Sequence, residues 1–219
     1  MAEGSTTTLT SAWVIGWLRE SAKVVGEHRQ ELIDLDRAIG DADHGENLDR
    51  GFSALMKKLD DGERPATPAA ALKLAAMTLM SSVGGAAGPL YGTAFLRAAA
   101  SLGDTEQVGP NEIAALLRAA RDGVVARGKA ESGDKTMVDA WTPAVEAADT
   151  AAGAGASAVE VLAAAANAAH AGAAATEPLI ARKGRASYLG ERSAGHLDPG
   201  AVSTRLILQA AVDAAGDHL

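Results

Sequence analysis

The side chains best suited to chemistry gather in one short run, Asp36-Arg37-Ala38-Ile39-Gly40-Asp41-Ala42-Asp43-His44-Gly45-Glu46-Asn47. Asp36, Asp41 and Asp43 share it with two glycines. Hard divalent cations take oxygen ligands, and magnesium commonly keeps a few carboxylates while water and phosphate fill its other positions. Gly40 and Gly45 are expected to let the loop fold inward at φ values that other residues resist. The calcium-loop pattern fails here, because Gly45 stands where an oxygen ligand is needed and the glycine comes one place early. Helix capping explains one aspartate. Three held close together would repel without a cation, so the run reads as a metal site.

Three other segments are unusual for plain connectors. Ser81 to Thr93 contains Gly84-Gly85-Ala86-Ala87-Gly88-Pro89. Its amides, followed by a helix N-terminus, would form an anion nest suited to phosphate, and a tight helix–helix turn needing φ > 0 fits equally well. Gly123-x-x-x-x-Gly128-Lys129-Ala130 nearly matches a Walker loop. Ala130 replaces the required hydroxyl and a helix precedes it, so that motif is rejected. The polar run Glu131-Ser132-Gly133-Asp134-Lys135-Thr136 follows it. Finally, residues 182–198 concentrate Arg182, Lys183, Arg185 and Arg192 in an otherwise acidic chain. A phosphate or partner contact and a solvated loop both suit that composition. No serine–histidine–acid order stands out, the histidines lack zinc-ligand spacing, and His28 and His170 read as structural.

These segments need helices to hold them. The chain of 219 residues fits one domain with a real core, and 47% hydrophobic against 22% charged residues excludes disorder. Alanine is by far the commonest residue, which favours helix and nearly excludes an all-β fold. The absence of cysteine rules out disulfides and thiolate metal sites and leaves a cytoplasmic location unopposed. A net charge of -8 argues against nucleic acid or anionic membrane as partners. Met1 to Thr8 lacks a basic n-region and is no signal peptide. Residues 1–8 are expected to be disordered and 9–219 to form a single domain.

Apolar periodicity places a first helix over roughly 9–31 and a second through Leu48, Phe52, Leu55 and Leu59. Thr67-Pro68 opens a third, and a fourth follows Pro89 after the glycine turn. The uncharged stretch Leu74 to Leu96 could span a bilayer by length, but its glycine-rich middle would strand backbone groups in lipid. Asn111 is expected to cap a fifth helix, and Pro143 to kink a sixth that runs through Val138 and Trp141. Ser157-x-x-Glu160 forms a capping box for an alanine-rich seventh, and Asp198-Pro199 caps an eighth. The pattern predicts an all-α bundle of about eight antiparallel amphipathic helices.

Taken together and in this order, the segments closely resemble the L subunit of dihydroxyacetone kinase. The resemblance rests on Asp36 with Gly40-Asp41-Ala42-Asp43-His44-Gly45, on Gly128-Lys129-Ala130, on Gly133-Asp134-Lys135-Thr136-Met137, and on the run from Gly184 to Ser193. It implies a barrel of eight helices with ADP (or ATP) at one end, and two magnesium ions joining its diphosphate to Asp36, Asp41 and Asp43. His44, Gly45, Glu46 and Asn47 would lie beside the phosphates, as would Ala86 and Ala87. Gly128, Met137, Arg185 and the Asp198-Pro199-Gly200 corner would complete the nucleotide pocket. Two positions depart from the family pattern: Ala87 stands for a frequent serine and Ser132 for a frequent proline.

The resemblance also implies phosphoryl transfer to dihydroxyacetone held on a separate K subunit, with ADP recharged by a phosphohistidine of an M subunit of the phosphoenolpyruvate phosphotransferase system. No nucleophile or base is then needed from this chain. The basic loop around Arg192 is the expected docking surface for the K subunit. ATP-dependent service to another ketose such as erythrulose, or to a related acceptor, remains an alternative. So does a non-catalytic nucleotide-binding module that contacts a transcription regulator.

Overall fold

The protein was analysed as a computed structural model that describes residues 8–216. The predicted disorder of residues 1–8 falls, except for Thr8, outside the described part. Nine α-helices are found among the described residues: α1 (Ser11–Glu27), α2 (Arg29–Ile39), α3 (His44–Asp61), α4 (Pro68–Ser82), α5 (Ala87–Leu102), α6 (Pro110–Gly128), α7 (Val138–Gly153), α8 (Ala158–Ala175) and α9 (Pro199–Gly216). A 3-10 segment, Arg185–Ser193, lies between the last two. Leu9 and Val108 exchange backbone hydrogen bonds of 3.1 and 2.7 Å, a single antiparallel bridge outside the helices.

Eight helices close a ring. In order α1, α3, α4, α5, α6, α7, α8 and α9 each pack on the next, and α9 packs back on α1. The ninth, α2, stands outside, against α3, α9 and the 3-10 segment. The all-α bundle expected from periodicity, and the eight-helix barrel that the resemblance implies, are therefore present. The seam between α1 and α9 is made by tryptophans: Trp13 Nε1 donates to the Ala211 carbonyl at 3.0 Å and Trp17 Nε1 to that of Ile207 at 2.7 Å. The two indoles stack 5.5 Å apart, and Phe95 from α5 tilts against Trp17 at 5.6 Å. An indole buried with its N–H paired keeps its apolar area in the core without stranding a donor.

Elsewhere alanine and glycine bring helices into close approach. A Cβ on Gly172 of α8 would stand 2.2 Å from the Asp139 carbonyl of α7. That carbonyl is the one Pro143 cannot serve, four residues on, because proline has no N–H. So α7 runs through Pro143 as a helix, with α8 seated over the gap.

Two sequence expectations change. The single first helix is two, broken at His28 (φ -94°, ψ 9°), and the second continues to Ile39. The apolar period gives no sign of this break, since Val25 and Leu32 lie two turns apart on the same stripe. The cap of α6 is Gly109 rather than Asn111: Pro110 takes the first helical position and Glu112 reaches back to accept from the Gly109 amide at 3.0 Å. Leu74 to Leu96 resolves into α4 and α5 joined by the glycine turn, and no described helix is long and apolar enough to cross a membrane. His170 is exposed on α8 rather than part of the core.

Candidate functional site

At one end of the ring three helix N-termini meet. Asp43-His44 opens α3, Ala86-Ala87 opens α5, and Asp198-Pro199-Gly200 opens α9. All line a cavity of about 190 Å³, together with Asp36, Gly40, Asp41, Gly85, Lys135, Met137 and Arg185. The positive ends of three helix dipoles suit an anion there.

The metal-candidate carboxylates are brought together by α2 and the turn after it. Asp36 sits buried in the last turn of α2, and its Oδ2 accepts from the amides of Asp43 at 2.8 Å and His44 at 3.1 Å. The chain is thereby folded back so that one oxygen from each of Asp36, Asp41 and Asp43 lies within 4.8 Å of the others. This all-oxygen set of three carboxylates fits a hard divalent cation. The glycines act differently from expectation. Gly40 has φ -142°, and the left-handed residue is Ala42, at φ 62°. Gly40 is needed for size, because a Cβ there would stand 2.0 Å from Asp36 Oδ1; at Gly45 it would meet the Arg29 carbonyl at 2.3 Å.

Across the cavity, Gly85 (φ 63°) turns the chain from α4 into α5 so closely that a Cβ on it would lie 3.9 Å from both Asp43 oxygens. The turn is a tight helix connection at positive φ, and Gly84 to Ala87 line the cavity opposite the carboxylates. Arg185, from the basic loop, pairs through Nε with Asp41 Oδ2 at 3.0 Å. That loop is tied down by Ser187 Oγ to the Gly184 carbonyl and Ser193 Oγ to that of Gly190, each at 2.6 Å. Arg192 lies exposed on it, with no ion pair among the described residues.

Beside the first cavity opens a second of about 430 Å³, sharing Ala86, Leu90, Thr136, Met137, Lys183 and Gly184 with it. Its walls are mostly apolar, with Pro89, Val124, Ala130 and Val138, and Gly128 lies here. A polar, carboxylate-lined chamber joined to an apolar one matches a ligand with a charged end and a flat uncharged end.

Of the residues read from the sequence, Gly45, Glu46 and Asn47 line neither cavity. Gly45 packs against α2, and exposed Glu46 accepts from Arg29. Asn47 is buried; its Oδ1 accepts from Arg50 at 2.5 Å, and Gly84 packs against it. These residues brace the site from behind.

Tyr91 and Ser203 have no signal in the sequence, and the partners of Lys135, His44 and Asp198 are likewise visible only in the structure. Lys135 is fully buried in the left-handed region (φ 61°), with Nζ donating to the carbonyls of Thr176 at 2.7 Å, Glu177 at 3.3 Å and His196. It pins the 129–137 loop to the end of α8 and the approach to α9. Burial lowers its pKa, opposed by Asp198, Glu177 and Asp139. His44 Nε2 lies 2.9 Å from Ser203 Oγ, which lies 2.7 Å from the buried Tyr91 hydroxyl. Desolvation holds the His44 imidazole down at about 4 against the pull of Asp43, and burial pushes the Tyr91 phenol up to about 12. Asp198 caps α9, accepting from Ala201 N at 2.7 Å. Burial pushes its carboxyl up to about 7, although that same hydrogen bond favours the charge.

Comparison with known proteins agrees on one family. The DAK2 domain matches residues 38–213. The chain is 44% identical over 209 residues to the ADP-binding subunit of the PEP-dependent dihydroxyacetone kinase of Escherichia coli (strain K12), covering 92% of this chain and 96% of that one. It is 34% identical to the L-erythrulose 1-kinase of Mycolicibacterium smegmatis, over 94% of this chain and 35% of that longer one. The crystal structure of the C. freundii dihydroxyacetone kinase with AMP-PNP and Mg2+ superposes with a TM-score of 0.69 at 23% identity. It covers 97% of this chain, which spans 36% of that one, and the likeness is one of fold.

Proposed function

Because the chain belongs to the DAK2 domain family, we propose that it is the nucleotide-binding subunit of a dihydroxyacetone kinase, a phosphotransferase. The observation that carries this reading is the convergence of Asp36, Asp41 and Asp43 with three helix N-termini on one cavity, beside an apolar chamber. The diphosphate of ADP would lie in the first and its base in the second, against Leu90, Val124 and Met137.

Divalent cations, two magnesium ions in this reading, would neutralise charge that otherwise accumulates and would hold the phosphoryl groups in line. The three aspartates supply ligand oxygens, with Asp36 held in place by the two amides it accepts from. Gly85 to Ala87 and Gly200, which line the same cavity, would offer backbone amides to the phosphates. Arg185, now paired with Asp41, can turn to the transferred group as charge moves. Ala87 offers no hydroxyl here, so its contact is by backbone alone.

In this reading no base is needed from the cavity: Asp198 Oδ2 serves the α9 cap and His44 Nε2 is engaged by Ser203. The acceptor would therefore arrive activated on a separate K subunit in the cytoplasm. A phosphohistidine of an M subunit would restore the nucleotide. The choice between dihydroxyacetone and another ketose such as erythrulose would rest with that partner, and a transcription regulator could use the same face.

The test is the nucleotide content of purified, desalted protein, read by chromatography after denaturation. About one ADP per chain is expected, released by a chelator. Asp41→Asn should abolish this retention with the helical circular dichroism unchanged. A wild-type chain that neither carries nor binds ADP or ATP with magnesium would refute the reading.

A further inference from the structure

Lys135 is placed unfavourably on two counts. Its backbone is left-handed, at φ 61°, a conformation that strains a residue with a Cβ and that glycine would adopt freely. Its side chain is 1% exposed, and burying an ammonium is unfavourable unless it is well paired. The side chain must therefore do something that glycine could not.

Its partners show what that is. Nζ carries three protons and has three acceptors: the carbonyls of Thr176 at 2.7 Å, Glu177 at 3.3 Å and His196. The first two lie at the C-terminal end of α8, where carbonyls lack helical partners and a cation is favoured. The third stands two residues before the Asp198 cap of α9. One ammonium from the loop between α6 and α7 thus joins chain segments 41 and 61 positions further along. Two weaker ties run beside it: Arg182 N donates to the Asp134 carbonyl, and Asp198 N to Thr176 Oγ1, each at 3.0 Å.

Each of the joined segments leads into a wall of the site. Thr136 and Met137 follow Lys135, Lys183 and Gly184 follow Glu177, and Asp198 and Gly200 follow His196. All six line the carboxylate cavity, and the first four also line the apolar chamber. The carboxylates are fastened by other means, with Asp36 on α2 accepting from the amides of Asp43 and His44.

We infer that Lys135 is a positioning residue for the nucleotide: its ammonium, through three carbonyls, sets the spacing of the wall segments that the two chambers share. The inference rests on the nucleotide reading for its ligand, but not for the tether itself. Metal capture by the aspartates and enclosure by the tethered walls are then separable contributions to binding.

The test compares wild type with Lys135→Met, which keeps an apolar stem and loses the ammonium. ADP affinity in magnesium, read by titration calorimetry, should fall about tenfold or more. Manganese binding without nucleotide, read by electron paramagnetic resonance, should be unchanged. Amide hydrogen exchange should quicken at Thr136, Arg182 and Asp198 and stay as in wild type along α1 and α4. Lys135→Gly, which relieves the backbone and admits water to the carbonyls, should lose ADP alike, and serves if the methionine variant does not fold. The chain has no cysteine, so Lys135→Cys can be alkylated selectively while unfolded and then refolded. The 2-bromoethylamine adduct, a lysine with sulfur for one methylene, should restore ADP affinity. The 1-bromopropane adduct, which ends the same chain in a methyl group, should not. Exchange that quickens equally in α1, or manganese lost together with ADP, would mean that Lys135 holds the fold as a whole, and overturns the inference. Wild-type ADP affinity in the variants, or recovery with the propyl adduct, overturns it too. A wild-type chain that binds no ADP, while the three amides still loosen in Lys135→Met, overturns instead the function proposed for the cavity, and with it the positioning role.

Discussion

A carboxyl group that caps a helix inside a cavity holding three other aspartates is a poor place for a negative charge, and Asp198 titrates accordingly. Desolvation lifts its pKa from 3.8 to about 7 in the folded chain. A pKa raised by folding contributes stability that is fully present below the unfolded value and is lost as pH rises through the folded one. Metal-free protein should therefore lose stability on this account as pH rises from about 4 to about 7. Asp198→Asn keeps an acceptor for Ala201 N and carries no charge. Its melting temperature should match wild type near pH 4 and exceed it by a growing margin towards about pH 7, measured in chelator without nucleotide; a constant difference would mean that Asp198 is ionised throughout. Residues at this scale were legible where their types are rare and their spacing tight. Asp36, Asp41 and Asp43 declared themselves as charges too close to stand alone. Tyr91 and Ser203 did not, because a tyrosine or a serine on a helix looks ordinary until its partners arrive from far along the chain.

Helix existence was legible for a similar reason: the apolar stripes are long and the caps are marked. Thr67-Pro68, Ser157-x-x-Glu160 and Asp198-Pro199 all open helices as their sequences predict. The break at His28 was hidden because it preserves the stripe on both sides. The roles of Gly40 and Gly45 were hidden because size and backbone freedom are both properties of glycine, and only the neighbouring atoms distinguish them. Gly172 makes the same distinction testable between α7 and α8. Gly172→Ala would push a methyl into the Asp139 carbonyl, which is backbone and cannot step aside. A loss of about 1–3 kcal/mol is expected by denaturant unfolding, the usual range for overpacking. Gly153→Ala, with open space around it, should change stability by less than about 1 kcal/mol. Equal effects at the two sites would show that helix propensity, not close approach, sets the cost.

As a whole the molecule is acidic, at -8, yet it presents Arg182, Lys183, Arg185 and Arg192 on one loop, of which Lys183 and Arg185 line the site. A partner with an acidic face would be steered there. Arg192→Glu should weaken association with a K subunit at least several-fold, measured by titration calorimetry, with bound nucleotide unchanged; equal affinity would remove the loop from the interface. The ring itself carries a separate consequence. Trp13 and Trp17 find their carbonyl partners about 190 or more positions along the chain. An emerging polypeptide can form hairpins of neighbouring helices as it is synthesised, but it cannot close the circle until its last segment is out. That segment also brings Asp198, Pro199 and Gly200, one wall of the cavity. Ligand capture thereby waits on the synthesis of α9: a chain terminated before it lacks both the seam and the wall.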